Sequence, residues 1–182
     1  MRDRPGMVIF TCAAALLFSI VGALARGEDA PLPLRSEFLM QMSTELDDSQ
    51  QIGETPAGGR RIVYVKGGQF AGAALKGQVL PGGGDWVLVR KDGVSQLDVR
   101  ITLRTDDGAL IYVTYRGIST MSPEVRQRIL KGEAVNPSDY YFRITPVFET
   151  SSEKYAWLNK LVAVGVGRRT RTGAEYSVYA IK

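Results

Sequence analysis

Two Asp-Gly turns, each between segments that alternate apolar and polar residues, constrain the fold of this chain more than any other feature. The segment "QLDVRITLR" places Val99, Ile101 and Leu103 on one face of a strand. Residues 91–93 connect it to "DWVLVR" and residues 106–108 connect it to "ALIYVTYRG". Asp-Gly between alternating segments is typical of tight β-hairpins. The sequence therefore predicts three consecutive antiparallel strands.

Further alternating segments extend this all-β pattern along the chain. One helix is predicted over residues 123–131, with Ser122 as its N-cap and Gly132 after its end, and "SSEKYAWLNK" predicts a second short helical turn capped by Ser152. Ten of the 20 glycines lie within residues 53–84, where a sheet must bend or admit close backbone approach. We expect an antiparallel barrel of about eight to ten strands, with the helix against its outside or across one end. The other predicted strands are "SEFLMQMSTEL", "RRIVYVKGGQF", "LKGQVL", "YYFRITPVFET", "LVAVGVGRR" and "EYSVYAIK".

The first 25 residues have the order of a signal peptide: a short basic start, an apolar segment and a small-x-small motif that ends at Ala25. We expect cleavage there, an extended arm over residues 26–34 and a single β-barrel domain over 35–182. The predicted location is a bacterial periplasm, without stable membrane association after cleavage. The alternative is an uncleaved N-terminal segment that anchors the protein in a membrane, since the apolar segment is nearly long enough to span a bilayer.

Composition excludes several classes of chemistry. The chain has 0 histidines, which excludes Ser-His and Cys-His nucleophile systems and His-based metal sites. It also lacks an Asp-x-Asp-x-Asp-Gly calcium loop, and its single cysteine, Cys12, lies in the signal segment. We therefore expect no metal and no cofactor. A net charge of +4 is too small to require nucleic acid as a partner, and the basic hairpin "GRRTRTG", interpreted as a solvated turn, lacks interleaved aromatic residues.

A set of motifs resembles one known family. "VKGGQFAG", "PGGGDW", "LDVRITLRTDDGA", "YFR" and "YAWLN" stand in this order between about Pro33 and Lys182. Together they are similar to the domain-of-unknown-function family numbered 3237, small uncharacterised proteins. The resemblance implies an antiparallel, lipocalin-like β-barrel with a central cavity. It implies no established reaction.

Asp98 and Arg100 share one strand face, and this face either meets solvent or lines the barrel. We favour the lining, because Tyr115 and Arg143 on neighbouring strands would add to a mixed polar and aromatic cavity for a small ligand. There Arg100 or Arg143 would bind an anion, with Asp98 holding the guanidinium in position. The solvent-facing alternative predicts a plain surface ion pair.

Four further residues complete the candidate site. Asp85 follows a glycine turn, so it is either a turn residue or a rim carboxylate whose pKa burial raises. Trp86 beside it would form a cavity wall. Glu149 and Trp157 are weaker candidates, since one can simply end a strand and the other can fill core.

Two function classes remain open from the sequence. The first is a barrel that binds a small, partly aromatic anionic ligand, with homo-oligomerisation left open. The alternative is a cofactor-free acid/base enzyme, an isomerase, cyclase or lyase for a small carbonyl or phenolic substrate, with Asp85 or Asp98 as base. The discriminating feature is a buried carboxylate free of an arginine partner, because an Asp paired with Arg is a poor base.

Overall fold

The alternating segments form a single antiparallel sheet of nine strands in the computed structural model, which describes residues 31–182. Both predicted Asp-Gly hairpins are present, with Gly93 and Gly108 at positive φ. The strands are β1 (Ser36–Thr55), β2 (Gly58–Ala71), β3 (Lys76–Val79), β4 (Gly83–Val89), β5 (Ser95–Thr105), β6 (Leu110–Thr120), β7 (Tyr141–Glu149), β8 (Ala163–Arg169) and β9 (Gly173–Ile181).

The strand pairings run round in a ring. β1 pairs with β9 on one side and with β2 on the other, and the series continues from β9 through β8, β7 and β6 to β5. Two short strands, β3 and β4, both bridge β5 to β2. Such a ring is the arrangement of a β-barrel. The predicted all-β antiparallel fold is confirmed.

Alternate residues of each strand fill the barrel with an apolar core. On β5, the inward residues Leu97, Val99, Ile101 and Leu103 are at most 3% exposed. Each such side chain contributes roughly 1.5–3 kcal/mol through removal from water. The polar residues between them therefore point outward, away from the interior.

Glycines allow close approach at two kinds of position. A Cβ at Gly68 on β2 would lie 2.0 Å from the carbonyl oxygen of Ser43 on β1, so the two backbones pass too closely for any side chain. Inside the barrel, a Cβ at Gly167 on β8 would lie 2.5 Å from the ring of Phe142. The glycine therefore makes room for the largest fully buried side chain of the core.

The helix α1 (Pro123–Leu130) lies at one end of the barrel, between the end of β6 and the start of β7. The Ser122 hydroxyl accepts a hydrogen bond from the Val125 amide at 3.3 Å, as expected for an N-cap. Ile129 is buried and Val125 packs against the core. The apolar side of α1 is thus attached to this end of the barrel.

Two sequence predictions need correction. β1 does not end at Leu46 but continues to Thr55, because register shifts near Leu46, Ser49 and Gly53 break the alternation that marks a strand. A 3₁₀ helix spans Glu153–Lys160 as expected, yet Ser152 makes no side-chain cap and instead donates its amide hydrogen to Thr150 Oγ1.

Two predictions are not tested by the fold. The predicted signal peptide, its cleavage after Ala25 and the start of the predicted arm lie outside the described residues. Within residues 31–182, no helix is both long and apolar enough to cross a bilayer. Export and membrane anchoring therefore stay predictions.

Candidate functional site

The end of the barrel that carries α1 contains a solvent-connected hollow of about 640 Å³, which we call the mouth. The long β1–β2 hairpin, the starts of β5 and β9, the ends of β6 and β8, and α1 surround it. Its charged side chains are Asp47, Asp48, Arg61, Arg126, Arg169 and Arg171. Four cations against two anions make the mouth favourable for a negatively charged ligand.

Three of these arginines converge without acidic partners. Arg61 extends from β2, Arg126 from α1 and Arg169 from the end of β8. Within residues 31–182, none of the three forms an ion pair. Burial lowers the pKa of Arg61, and the positive charges of Arg169 and Arg126 lower it further. These guanidinium groups are held together despite mutual repulsion, as in an anion-binding site.

Asp85 is a buried carboxylate beneath the arginines. Its cross-strand partner on β2 is Val63, whereas Arg61 faces Val87. Asp85 therefore lies two residues deeper in the barrel than Arg61, or roughly 7 Å along the strand. It is only 7% exposed. An acid at this depth, without an ion pair of its own in the described chain, is unusual for a protein core.

The environment of Asp85 raises its pKa to about 6. Burial is the largest cause, because it disfavours the charged form. A hydrogen bond from the Asp98 amide to Asp85 Oδ1, at 3.1 Å, and the charges of Arg169 and Arg61 partly oppose the rise. A carboxyl group with this pKa can both accept and donate a proton near neutral pH.

Two tyrosines lie in the electrostatic environment of Asp85. The Tyr115 hydroxyl donates to the Tyr176 hydroxyl at 3.3 Å, and the rings meet edge to face with centroids 5.6 Å apart. Burial raises the pKa of Tyr176 to about 12 and the pKa of Tyr115 well above its usual value. Both phenols therefore stay protonated, which makes them hydrogen-bond donors and not bases.

The chemical groups at this site suit an organic anion better than a metal ion. In the described part of the chain, no group of three or more His, Cys, Asp or Glu side chains is placed to hold a metal. The mouth is instead lined by guanidinium groups and apolar side chains. The carboxyl group of Asp85 and the phenols of Tyr115 and Tyr176 are buried in the barrel interior, behind that lining. This combination can bind a planar anion and move a proton on it.

A family model described as "Protein of unknown function (DUF3237)" matches residues 34–181. The chain belongs to the DUF3237 family. The resemblance predicted from the motifs is thereby confirmed. UPF0311 protein RPA1785 of Rhodopseudomonas palustris is 35% identical over 136 residues, 75% of this chain and 89% of that protein. The solved structure of a beta-barrel like protein from Acinetobacter baumannii AYE has 41% identity and a TM-score of 0.74, and covers 85% of this chain and 100% of that one.

An enzyme is found among the similar proteins. "Hydroalkoxylation enzyme phnH" of Penicillium herquei is 29% identical over 157 residues, 86% of this chain and 87% of that protein. A solved structure described as an enzyme from Penicillium herquei has 26% identity and a TM-score of 0.63 over 84% of this chain and 97% of that one. A protein similar over most of the length of this DUF3237 chain is thus named as an enzyme.

The structure divides the predicted site residues between two faces of the barrel wall. Asp85 and Tyr115 point into the interior, whereas Asp98, Arg100 and Arg143 lie on the outer face. The prediction that Asp98, Arg100 and Arg143 line a central cavity was therefore wrong. The apolar residues that alternate with them along each strand occupy the interior instead. Asp98 and Arg100 form a half-exposed ion pair at 3.2 Å.

The outer-face residues nevertheless come together. The Arg100 guanidinium lies over the ring of Trp86 with its carbon 5.1 Å from the ring centroid. Trp86, Asp98 and Arg143 line one hollow on the outside of the sheet. The sequence analysis therefore grouped residues that do lie on one surface, but that surface is the outside of the barrel and not its interior.

Glu149 and Trp157 belong to neither group. Glu149 is exposed at the end of β7, where it pairs with Tyr112 across the ladder, as expected of a residue that ends a strand. Trp157 is 39% exposed on the 3₁₀ helix and borders a separate hollow at the far end of the barrel. The structure places both residues away from the mouth.

Sequence reasoning missed four residues of the mouth and the interior: Arg61, Arg126, Arg169 and Tyr176. The sequence predicts Arg169 to lie in a solvated turn, but in the structure it continues the inward positions Gly165 and Gly167 of β8. The alternation of inward and outward residues along β8 was the feature of the sequence that could have predicted an inward Arg169. Nothing local marks Arg61 or Arg126, because their role depends on where β2 and α1 meet the rest of the barrel.

Proposed function

We propose that this protein is a cofactor-free acid/base enzyme that acts on a small phenolic or enolic substrate at the mouth of its barrel. The observation that carries the proposal is Asp85, a buried carboxylate without an arginine ion pair whose pKa is raised to about 6. Asp98, the other candidate base, is paired with Arg100 and half-exposed. A buried carboxylate free of an arginine partner is the feature that distinguishes the enzyme from a protein that only binds a ligand, and Asp85 has it.

Asp85 is suited to transfer a proton in either direction. At neutral pH most of the carboxyl population is ionised and can accept a proton from a phenol or from carbon beside a carbonyl. Because the pKa is about 6, the protonated form returns that proton readily. Asp85 lies below the arginines, so the reacting part of the substrate is the part that enters deepest.

The groups around Asp85 are suited to stabilise the anion that forms. Arg61 and Arg169 supply positive charge on the solvent side. The Tyr176 hydroxyl accepts its hydrogen bond from Tyr115, which leaves its own hydrogen available for an oxyanion. Preorganised donors of this kind commonly supply the largest share of catalysis.

The similar enzyme of Penicillium herquei indicates one reaction of this class. Hydroalkoxylation adds an O–H group across a carbon–carbon double bond. In an intramolecular case, Asp85 would take the phenolic proton and, now protonated, would donate it to one alkene carbon as the phenolic oxygen bonds to the other, so that the π electron pair forms the new C–H bond. The product is an isomer of the substrate, so no cofactor or second reactant is consumed.

The test is turnover of 2-allylphenol and 2-prenylphenol, with cyclised isomers separated by chromatography. We expect Asp85→Asn to lower the rate by about 100-fold or more, since it keeps the shape but removes the base. Asp98→Asn is the matched control and should leave the rate within about twofold of the parent, because the Asp98 side chain lies on the outer face of the barrel wall, paired with Arg100. Activity of the parent should rise as pH rises through about 6, the pKa of Asp85.

The outcomes separate the two function classes. An unchanged rate in Asp85→Asn would overturn the assignment of the base. If neither phenol is turned over while the protein retains a small anion in native mass spectrometry, and Arg61→Ala releases it, the mouth is a binding site without catalysis. That second function, favoured by the unpaired arginines, is the ligand-binding barrel first predicted from the sequence, with its ligand at the mouth.

A further inference from the structure

The outer surface of the barrel carries a second hollow, of about 680 Å³, which we call the outer groove. It runs across β2, β4, β5, β6, β7 and β8 on the solvent side of the wall. None of the mouth residues contributes to it. The outer groove is within the size range of sites for small organic ligands.

Apolar and aromatic side chains form the walls of the outer groove. Tyr141 is 51% exposed, Ile118 and Val164 are each 36% exposed, and Trp86 is half-buried. Single exposed apolar residues are ordinary, but these four line the same concave surface. Two of them are aromatic, and a guanidinium lies over one face of each ring, Arg100 over Trp86 and Arg143 over Tyr141, so a planar ring would contact the opposite face or the edge.

Arginines give the outer groove an excess of positive charge. Arg60, Arg116 and Arg143 line it, against Asp98 as the one acid among its lining residues. Asp98 is already paired with Arg100 outside the lining set. Among residues 31–182, Arg60, Arg116 and Arg143 form no ion pair.

Two of these guanidinium groups are already oriented. Arg143 Nη1 donates to the Phe142 carbonyl oxygen at 2.9 Å, and its guanidinium lies 5.0 Å from the ring centroid of Tyr141. Arg60 Nη1 donates to the Trp86 carbonyl oxygen, also at 2.9 Å. Each keeps further N–H groups for a ligand, since a guanidinium has five.

The strand register sets two arginines at the right spacing for one carboxylate. Arg116 faces Thr145 across the ladder between β6 and β7, and Arg143 lies two residues further along the same outward face. Such diagonal positions are roughly 7–8 Å apart at the backbone, a span that two arginine side chains can bridge. Both side chains are exposed, so this pair is available from solvent.

We propose that the outer groove is a binding site for a planar aromatic carboxylate, separate from the mouth. The carboxylate is held by Arg116 and Arg143, and the ring packs between Trp86, Tyr141 and the apolar wall. The charge of the lining favours an anion over a neutral ring, and the aromatic walls favour a ring over a short-chain acid. This site does not depend on the proposed enzymatic function, because it shares no side chain with it.

The test measures binding of 2-naphthoate and of its neutral counterpart 2-naphthamide by isothermal titration calorimetry. We expect 2-naphthoate to bind about tenfold or more tightly than 2-naphthamide. The double variant Arg116→Ala/Arg143→Ala should remove that preference. Arg104→Ala is the matched control, an exposed arginine on the same outer face of β5 but outside the groove, and should leave both affinities unchanged. In an Arg61→Ala background, which removes one arginine of the mouth, the preference for 2-naphthoate should persist and should still be lost on the double change in the outer groove.

Three results would overturn the proposal. One is equal affinity of the parent for the two probes, and another is an unchanged 2-naphthoate affinity in the double variant, with circular dichroism confirming that it folds. The third comes from light scattering: if the protein is a dimer that the double variant dissociates, and 2-naphthoate does not bind at about 1 mM, a second copy occupies the groove.

Discussion

Replacement of Asp85 by Asn is expected to stabilise the protein, and to do so only above a defined pH. Asp85 has its pKa raised from 3.8 to about 6 on folding. At roughly 1.4 kcal/mol per pKa unit, this rise corresponds to about 3 kcal/mol. The group is 7% exposed, so solvent screening reduces this value little.

The direction of this change in the free energy of unfolding depends on which protonation state of Asp85 the folded protein favours. The folded protein binds the proton of Asp85 more tightly than the unfolded chain does. The stability that this tighter proton binding adds to the folded protein is therefore fully present below pH 3.8 and is lost as pH rises through about 6. Asn cannot ionise, yet its side-chain oxygen can still accept the hydrogen bond from the Asp98 amide. Asp85→Asn should thus match the parent at about pH 4 and exceed its free energy of unfolding by about 2–3 kcal/mol at pH 8.

Urea unfolding followed by tryptophan fluorescence, at a series of pH values, measures this difference. The effects of other titrating groups cancel between variant and parent. Asp98→Asn is the control, because its half-exposed ion pair with Arg100 limits the change to about 1 kcal/mol or less. A stability difference between Asp85→Asn and the parent that stays constant from pH 4 to pH 8 would refute the reasoning.

Two further variants test the placement of residues in the barrel wall. Arg100→Ala should lower the free energy of unfolding by no more than about 1 kcal/mol in urea titrations, because Asp98 keeps contact with solvent; a loss above about 3 kcal/mol would mean that Asp98 is buried. Gly167→Ala should cost about 1–3 kcal/mol, since its methyl group would lie 2.5 Å from the ring of Phe142. Gly67→Ala is the control, because its methyl group would lie 3.7 Å from the Val79 carbonyl oxygen, an ordinary contact, and equal effects of the two changes would contradict the packing argument.

The fold was predictable because its determinants are local. A hairpin needs only a turn such as Asp92-Gly93 between two alternating segments, and the helix needs only Ser122 and Pro123 at its start. Each of these signals lies within a few residues of the element it defines. The extension of β1 was missed for the same reason, since its bulges remove the local alternation.

The candidate site was less predictable because alternation gives faces without saying which face is inside. On β5 the apolar face settles the question, and the polar face that carries Asp98 is outside. On β4 the two faces are Asp85 with Val87 and Trp86 with Leu88, so hydrophobicity does not choose between them. The barrel places the acid inside and the indole outside, and only the complete ring of strands determines this.

A purely structural role does not account for an acid at position 85. The Asp98 amide needs an acceptor where the pairing of β4 with β5 is interrupted, and an Asn side chain would supply one without a charge. The raised pKa shows that ionised Asp85 destabilises the fold, and the charges of Arg61 and Arg169 only partly offset this. An anion bound between those arginines would cancel their effect and raise the pKa of Asp85 further. Under the proposed function, substrate binding would then make the carboxylate a stronger base at the moment when a proton is to be removed, which is a reason to keep Asp where Asn would be more stable.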